Sequence, residues 1–127
     1  MILIIDHFDS FVYNQVHQLA RISSDCQIKV IRCNEVKVKD AEGCNLIIFS
    51  PGPCTPLETG NSMEIIDYWK DKISMLGICL GHQLLAHFYN AKVDRSCVPL
   101  HGISSIIEHN GSWPFKGVPD KFEGARY

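Results

Sequence analysis

The sequence has no Cys-x-x-Cys pair, no apolar run of membrane-spanning length and no stripe of basic residues. Each absence removes a class. Its six cysteines are Cys26, Cys33, Cys44, Cys54, Cys79 and Cys97. Without paired spacing they suggest neither a zinc knuckle nor a thioredoxin-type redox motif. Apolar residues make up 46% of the chain, enough for a packed core without a disulfide framework, and free thiols fit a reducing cytoplasm. The opening Met1-Ile2-Leu3-Ile4-Ile5-Asp6 lacks a basic leader and is too short for a signal peptide. No run reaches membrane-spanning length, so no membrane association is expected. Lys and Arg number 12 against 14 Asp and Glu, for a net charge of −2. The charged runs at Lys37-Val38-Lys39-Asp40 and Lys70-Asp71-Lys72 mix signs and read as solvated surface. Nucleic acid is therefore not an expected partner. No repeat, low-complexity tract or linker interrupts the chain, and 127 residues suit one domain spanning 1–127.

What is present is an alternation of short apolar runs with helical patterns. Ile2 to Ile5 is a continuous apolar run, the mark of a strand buried on both faces. Asp9 or Ser10 is placed to cap a helix, and Val12, Val16, Leu19 and Ala20 follow at helical spacing. Ile28 to Ile31 and Leu46-Ile47-Ile48-Phe49 read as further strands, with a loop and a short helical turn from Asn34 to Cys44 between them. Asn61 precedes Glu64 by three residues, a capping arrangement for a helix that buries Ile65, Ile66 and Trp69. Ser74 to Ile78 is a fourth strand. A helix from Leu80 turns Leu84, Leu85 and Phe88 inward and ends at Asn90. Beyond it, Ala91 to Asp94 and Ile103 to Glu108 read as strands, and Asn110-Gly111 as a hairpin turn. The pattern predicts an α/β fold, a largely parallel, doubly wound sheet with helices on both faces. Ligands bind such sheets at the carboxyl ends of the strands.

Two loops stand at those ends. Gly77-Ile78-Cys79-Leu80-Gly81 has the G-x-nucleophile-x-G form between a strand and a helix, the context that form requires. Small residues at 77 and 81 permit a sharp turn that lifts the sulfur clear of the sheet. Partial positive charge at a helix N-terminus favours the reactive thiolate. The amide of Leu80 faces the place where an oxyanion would form. Gly52, between Pro51 and Pro53, is the natural second donor, since glycine allows close backbone approach. Gln83 lies one helical turn after Cys79, on the same face. Taken alone, the elbow leaves Cys79 as nucleophile or core filler, Gly52 as a turn residue and Gln83 as an exposed helical side chain. Together the two loops favour a site.

Three stretches carry a family resemblance that spans the chain. MILIIDHFDSFVYN (1–14) resembles the opening of class I glutamine amidotransferase subunits that serve chorismate-using synthases. SPGPCTP (50–56) resembles their glutamine-binding loop, and GICLGHQ (77–83) their nucleophile motif. His101-Gly102, Glu108-His109-Asn110-Gly111 and Ala125-Arg126-Tyr127 match their later region. The resemblance implies a three-layer, flavodoxin-like amidotransferase domain. It implies that Cys79 attacks the side-chain amide of L-glutamine to form a thioester, that the Gly52 and Leu80 amides hold the oxyanion, and that Gln83 helps hold substrate. Ammonia would pass to the large subunit of an anthranilate or aminodeoxychorismate synthase. No cofactor or metal is implied. Cys54 followed by Thr55 is more typical of the aminodeoxychorismate or dual-use branch. His7 stands where Asn or a similar polar residue is common and reads as tolerated variation.

The same resemblance implies an H-S-L segment after Arg-Tyr and a later H-P-E segment, whose His is the general base and whose Glu orients it. Neither is in these 127 residues. None of His7, His17, His82, His87, His101 and His109 matches that base, and His82 and His87 are wrongly spaced to share a metal from one helix face. The chain is thus expected to be the N-terminal two thirds of an amidotransferase domain, incomplete at the C-terminus, with little glutaminase activity alone. An uncovered sheet edge is expected to favour self-association. Two other readings stand beside this one: a different cysteine hydrolase of similar fold, such as a gamma-glutamyl hydrolase relative, and a non-catalytic truncated binding domain.

Overall fold

The computed structural model describes residues 1–126; Tyr127, the last residue of the Ala125-Arg126-Tyr127 match, lies outside them. The chain gathers into two compact units, Met1–Val93 and Asp94–Tyr127. The first runs β1 (Ile2–Asp6), α1 (Val12–Ile22), β2 (Ile28–Arg32), a 3-10 turn at Val38–Ala41 and β3 (Leu46–Phe49). It continues through a 3-10 turn at Pro56–Glu58, α2 (Ser62–Trp69), β4 (Ser74–Gly77) and α3 (Leu80–Phe88). The four strands pair in parallel in the order β2-β1-β3-β4. This is the expected doubly wound α/β sheet.

Both faces of the sheet are covered, which is why β1 and β3 carry continuous rather than alternating apolar residues. On one face Leu3, Ile5, Ile47 and Phe49 pack with Val36, Ile65, Ile66 and Leu84, so α2 and α3 lie there. On the other, Ile2, Ile4 and Ile48 pack with Val12, Val16 and Leu19 of α1. A fully buried Ile or Leu contributes about 1.5–3 kcal/mol relative to an exposed one, so this three-layer core dominates the stability of the unit. Asp40 accepts hydrogen bonds from Lys29 Nζ and the Lys37 N–H, both at 2.9 Å, and the first of these leads in holding its carboxyl below the usual carboxylate range. The second unit is an antiparallel pair, β5 (Ile103–Glu108) and β6 (Lys121–Arg126). Its connection wraps around His109, whose ring stacks on Phe115 with centroids 4.8 Å apart. Among the described residues no helix is long and apolar enough to cross a membrane.

Several local expectations are corrected. Ala91 to Asp94 forms no strand. Asn110-Gly111 is not a two-residue turn: Glu108 pairs with Lys121, so the connection is much longer. Helix α1 begins at Val12 with Phe11 at its cap, while the Asp9 N–H turns back to Asp6 Oδ1. Asn61 does precede α2, but its side chain caps nothing there. It donates to the Val36 carbonyl at 2.9 Å instead, tying α2 to the segment after β2. A reciprocal cap occurs one turn earlier, where Glu58 Oε2 accepts from the Thr55 N–H. Asn90 fills the expected role, with φ +64 just past the end of α3.

Candidate active site

Strand register brings the two motif loops to one edge. Ile5 of β1 lies beside Phe49 of β3, and Phe49 lies beside Gly77 of β4. The chain therefore leaves β1 at His7, β3 at Ser50 and β4 at Ile78 along a single carboxyl-end edge. The Ile78 N–H donates to the Phe49 carbonyl at 3.0 Å and closes the start of the elbow onto β3.

Cys79 has φ +52 and ψ −109 and stands at the cap position of α3, with an exposed side chain. A positive φ in a residue other than glycine is strained and persists only where its surroundings dictate it. Here they do. The Gly81 N–H donates to the Ile78 carbonyl and the Gln83 N–H to the Cys79 carbonyl, each at 3.0 Å, so the chain reverses and enters the helix at once. The two small residues are required as expected. A Cβ on Gly77 would collide with the backbone of Gly81 and His82, and one on Gly81 with the backbone of Phe49.

Gly52 is equally confined. A Cβ there would sit 2.5 Å from the His7 carbonyl oxygen, 2.7 Å from its Cβ and 3.0 Å from Leu80 Cδ2. The structure thus brings Gly52 against the first residue of α3, next to Cys79 in the chain. The Leu80 N–H is a first-turn amide, of the kind a helix leaves without an internal partner. Among the described residues no backbone carbonyl accepts from the Gly52 N–H. Leu80 itself is 2% exposed, anchoring the helix start. Gln83 is exposed in the first turn of α3, with no hydrogen bond from its side chain to another described residue.

One residue of this edge lies outside the expected site residues. His7, expected only as tolerated variation, is 3% exposed and bonded through both ring nitrogens. Nδ1 lies 3.1 Å from the Ser50 carbonyl and Nε2 2.9 Å from Ser62 Oγ. Burial holds the ring's pKa below the usual imidazole value, against the opposing pull of the Ser50 carbonyl and the Asp6 carboxylate. The available signal was its place directly after β1, on the edge that carries both loops.

None of the histidines of the first unit, His7, His17, His82 and His87, hydrogen-bonds to the Cys79 thiol. His109 is spent within the second unit: Nδ1 accepts from the Gly111 N–H at 3.0 Å and Nε2 donates to the Pro119 carbonyl at 2.8 Å. Among the described residues no group of three or more His, Cys, Asp or Glu could hold a metal ion.

The family model for glutamine amidotransferase class-I matches residues 3–127. Aminodeoxychorismate synthase component 2 of Escherichia coli is 37% identical over 127 residues, covering 100% of this chain and 68% of that protein. Anthranilate synthase component 2 of Pseudomonas aeruginosa is 36% identical over 129 residues, covering 100% of this chain and 63% of that protein. The bifunctional protein TrpGD of Thermotoga maritima is 38% identical over 128 residues; the match covers 99% of this chain but 22% of that protein. The chain therefore spans only part of each of these relatives. A crystal structure of a GMP synthase subunit from Thermoplasma acidophilum superposes with a TM-score of 0.81 at 19% identity. The match covers 98% of this chain and 62% of that one, a likeness of fold. With an elbow cysteine, a confined glycine loop beside it and a family match from residue 3 to residue 127, the chain belongs to the class-I glutamine amidotransferases.

Proposed function

We propose that the chain carries the glutaminase half-site of a chorismate-using synthase, with Cys79 as its nucleophile. The observation that supports this best is the strained, exposed Cys79 at the start of α3 with Gly52 packed against Leu80. In this reading Sγ attacks the side-chain amide carbon of L-glutamine. The negative charge formed on the amide oxygen is met by the N–H groups of Gly52 and Leu80, and Gln83 contacts the substrate. The C–N bond then breaks, the thiol proton leaves with ammonia, and a glutamyl thioester stays on Cys79. Attack by water releases glutamate and restores the thiol. Ammonia passes to a large synthase subunit making anthranilate or aminodeoxychorismate. The relatives with either printed name are about equally similar, at 36% and 37% identity, so both branches stay within the proposal. Six free thiols support a reducing, cytoplasmic setting.

The test is covalent capture. A chloroketone analogue of glutamine should add once to the chain, at Cys79, as read by intact mass and peptide mapping. Excess glutamine should slow the reaction, and Cys79→Ser should abolish it. An adduct spread over the exposed Cys54 and Cys97 as well, indifferent to glutamine, would sink the reading.

Self-association is part of the same proposal. Among the described residues β4 has no strand on its outer side, and Leu76 in its middle is 40% exposed. Open apolar edges template pairing with other chains. Sedimentation velocity should show concentration-dependent association that Leu76→Lys weakens. A monomer at all concentrations would remove this element.

A further inference from the structure

We infer that His7 is a positioning residue: it registers the Ser50–Gly52 loop against the Cys79 elbow, an inference that rests on those two features acting together on glutamine. The loop has little else to hold it. Pro51 and Pro53 have no N–H. Among the described residues its only backbone tie back to the sheet is the Ser50 N–H to the Ile5 carbonyl, at 3.1 Å. His7 grips it at two further points. The His7 N–H donates to Ser50 Oγ at 2.9 Å, and Ser50 Oγ in turn donates to the Pro51 carbonyl at 2.6 Å. The ring supplies the second grip. A carbonyl can only accept, so the proton must be on Nδ1, which donates to the Ser50 carbonyl at 3.1 Å. Nε2 of the neutral ring then accepts from the Ser62 hydroxyl at 2.9 Å. Ser62 is the fully buried first residue of α2, and the ring also lies over Phe49, 6.4 Å between centroids and 26° from parallel.

His7 is therefore a strut between a fixed helix start and a loop with few bonds of its own. Gly52, two residues beyond the grip, has no freedom to drift toward β1, because the His7 carbonyl and Cβ already occupy that side. The ring end toward Ser50 sets the loop; the end toward Ser62 sets the ring. Loss of the first should misplace the Gly52 amide, while loss of the second should be felt less.

Two variants separate these ends. An Asn amide nitrogen reaches the place of imidazole Nδ1, and a Gln amide nitrogen the place of Nε2. Of the two ring bonds, His7→Asn thus keeps the one to Ser50 and His7→Gln the one to Ser62, while the backbone N–H bond to Ser50 Oγ stays in both. The readout on the full 127-residue chain is the rate at which the glutamine chloroketone labels Cys79, beside the rate for iodoacetamide, which needs no oxyanion site. His7→Asn is expected within about threefold of wild type with the chloroketone and His7→Gln about tenfold or more slower, with iodoacetamide unchanged in both. Equal chloroketone rates for the two variants would overturn the inference. So would a parallel fall with iodoacetamide, or failure of both variants to fold by circular dichroism, since His7 would then be a general support of the core. If the wild-type chain takes no chloroketone at Cys79, the proposed function fails and this inference with it. A labelled wild type with indistinguishable variants removes the inference alone.

Discussion

Gly81→Ala is expected to destabilise the chain by about 2–4 kcal/mol, the upper end for overpacking, and to abolish chloroketone labelling at Cys79. Two effects oppose each other at this position. Alanine is the better helix former, by about 1 kcal/mol in a helix interior and less in a first turn. Against that, the new methyl would lie on the carbonyl and Cβ of Phe49. Phe49 cannot yield cheaply: it is fully buried, and β3 is paired on both sides, with β1 and with β4. The obstacle is backbone, so relief must come from moving α3 outward, and that movement carries Cys79 and Leu80 away from Gly52. The control is Gly43→Ala. Gly43 has φ +74 but nothing within 4 Å of a new Cβ, so its cost should be only the roughly 1–2 kcal/mol of a left-handed alanine. Urea unfolding of both variants checks the ranking. A Gly81→Ala chain as stable as wild type would show that packing against Phe49 does not set the elbow.

That ranking depends on contacts between distant segments, and the same divide separates what was legible from what was not. Strands β1 and β3 declared themselves, because a sheet covered on both faces demands unbroken apolar runs, and Ile2–Ile5 and Leu46–Phe49 are such runs. The elbow was legible because its two glycines are a local steric need, and the structure supplies the colliding partner for each. The caps were not. Asn61 is a good capping residue in isolation, but the Val36 carbonyl, distant in sequence, competes for its amide and wins. Ala91 to Asp94 has the short mixed pattern from which no strand can be told without a neighbour to pair with. His7 was least legible. A histidine after a strand can face solvent or fold inward, and only Ser50 and Ser62, brought to it by the sheet and by α2, decide that it turns in.

The purified 127-residue chain is expected to accept glutamine-like electrophiles at Cys79 yet to release no more than a stoichiometric amount of glutamate. The first step asks only for a placed sulfur, an oxyanion site and an amide carbon. Turnover asks for more: a group must take a proton from water as it attacks the thioester and return one to the departing sulfur. A well-placed base contributes about 10²–10⁴-fold to such a step. In the first unit no histidine is bonded to the Cys79 thiol, and His7 cannot serve, because its Nδ1 proton is held by the Ser50 carbonyl and Nε2 faces Ser62. His109 has both ring nitrogens engaged by its own hairpin. A coupled glutamate assay over hours, beside intact mass on the same sample, separates the two stages. The expected pattern is a chloroketone adduct with no sustained glutamate signal. Steady release over many turnovers, lost in Cys79→Ser, would mean that some residue of these 127 supplies the base, and the histidines of α3, His82 and His87, would be the first to replace.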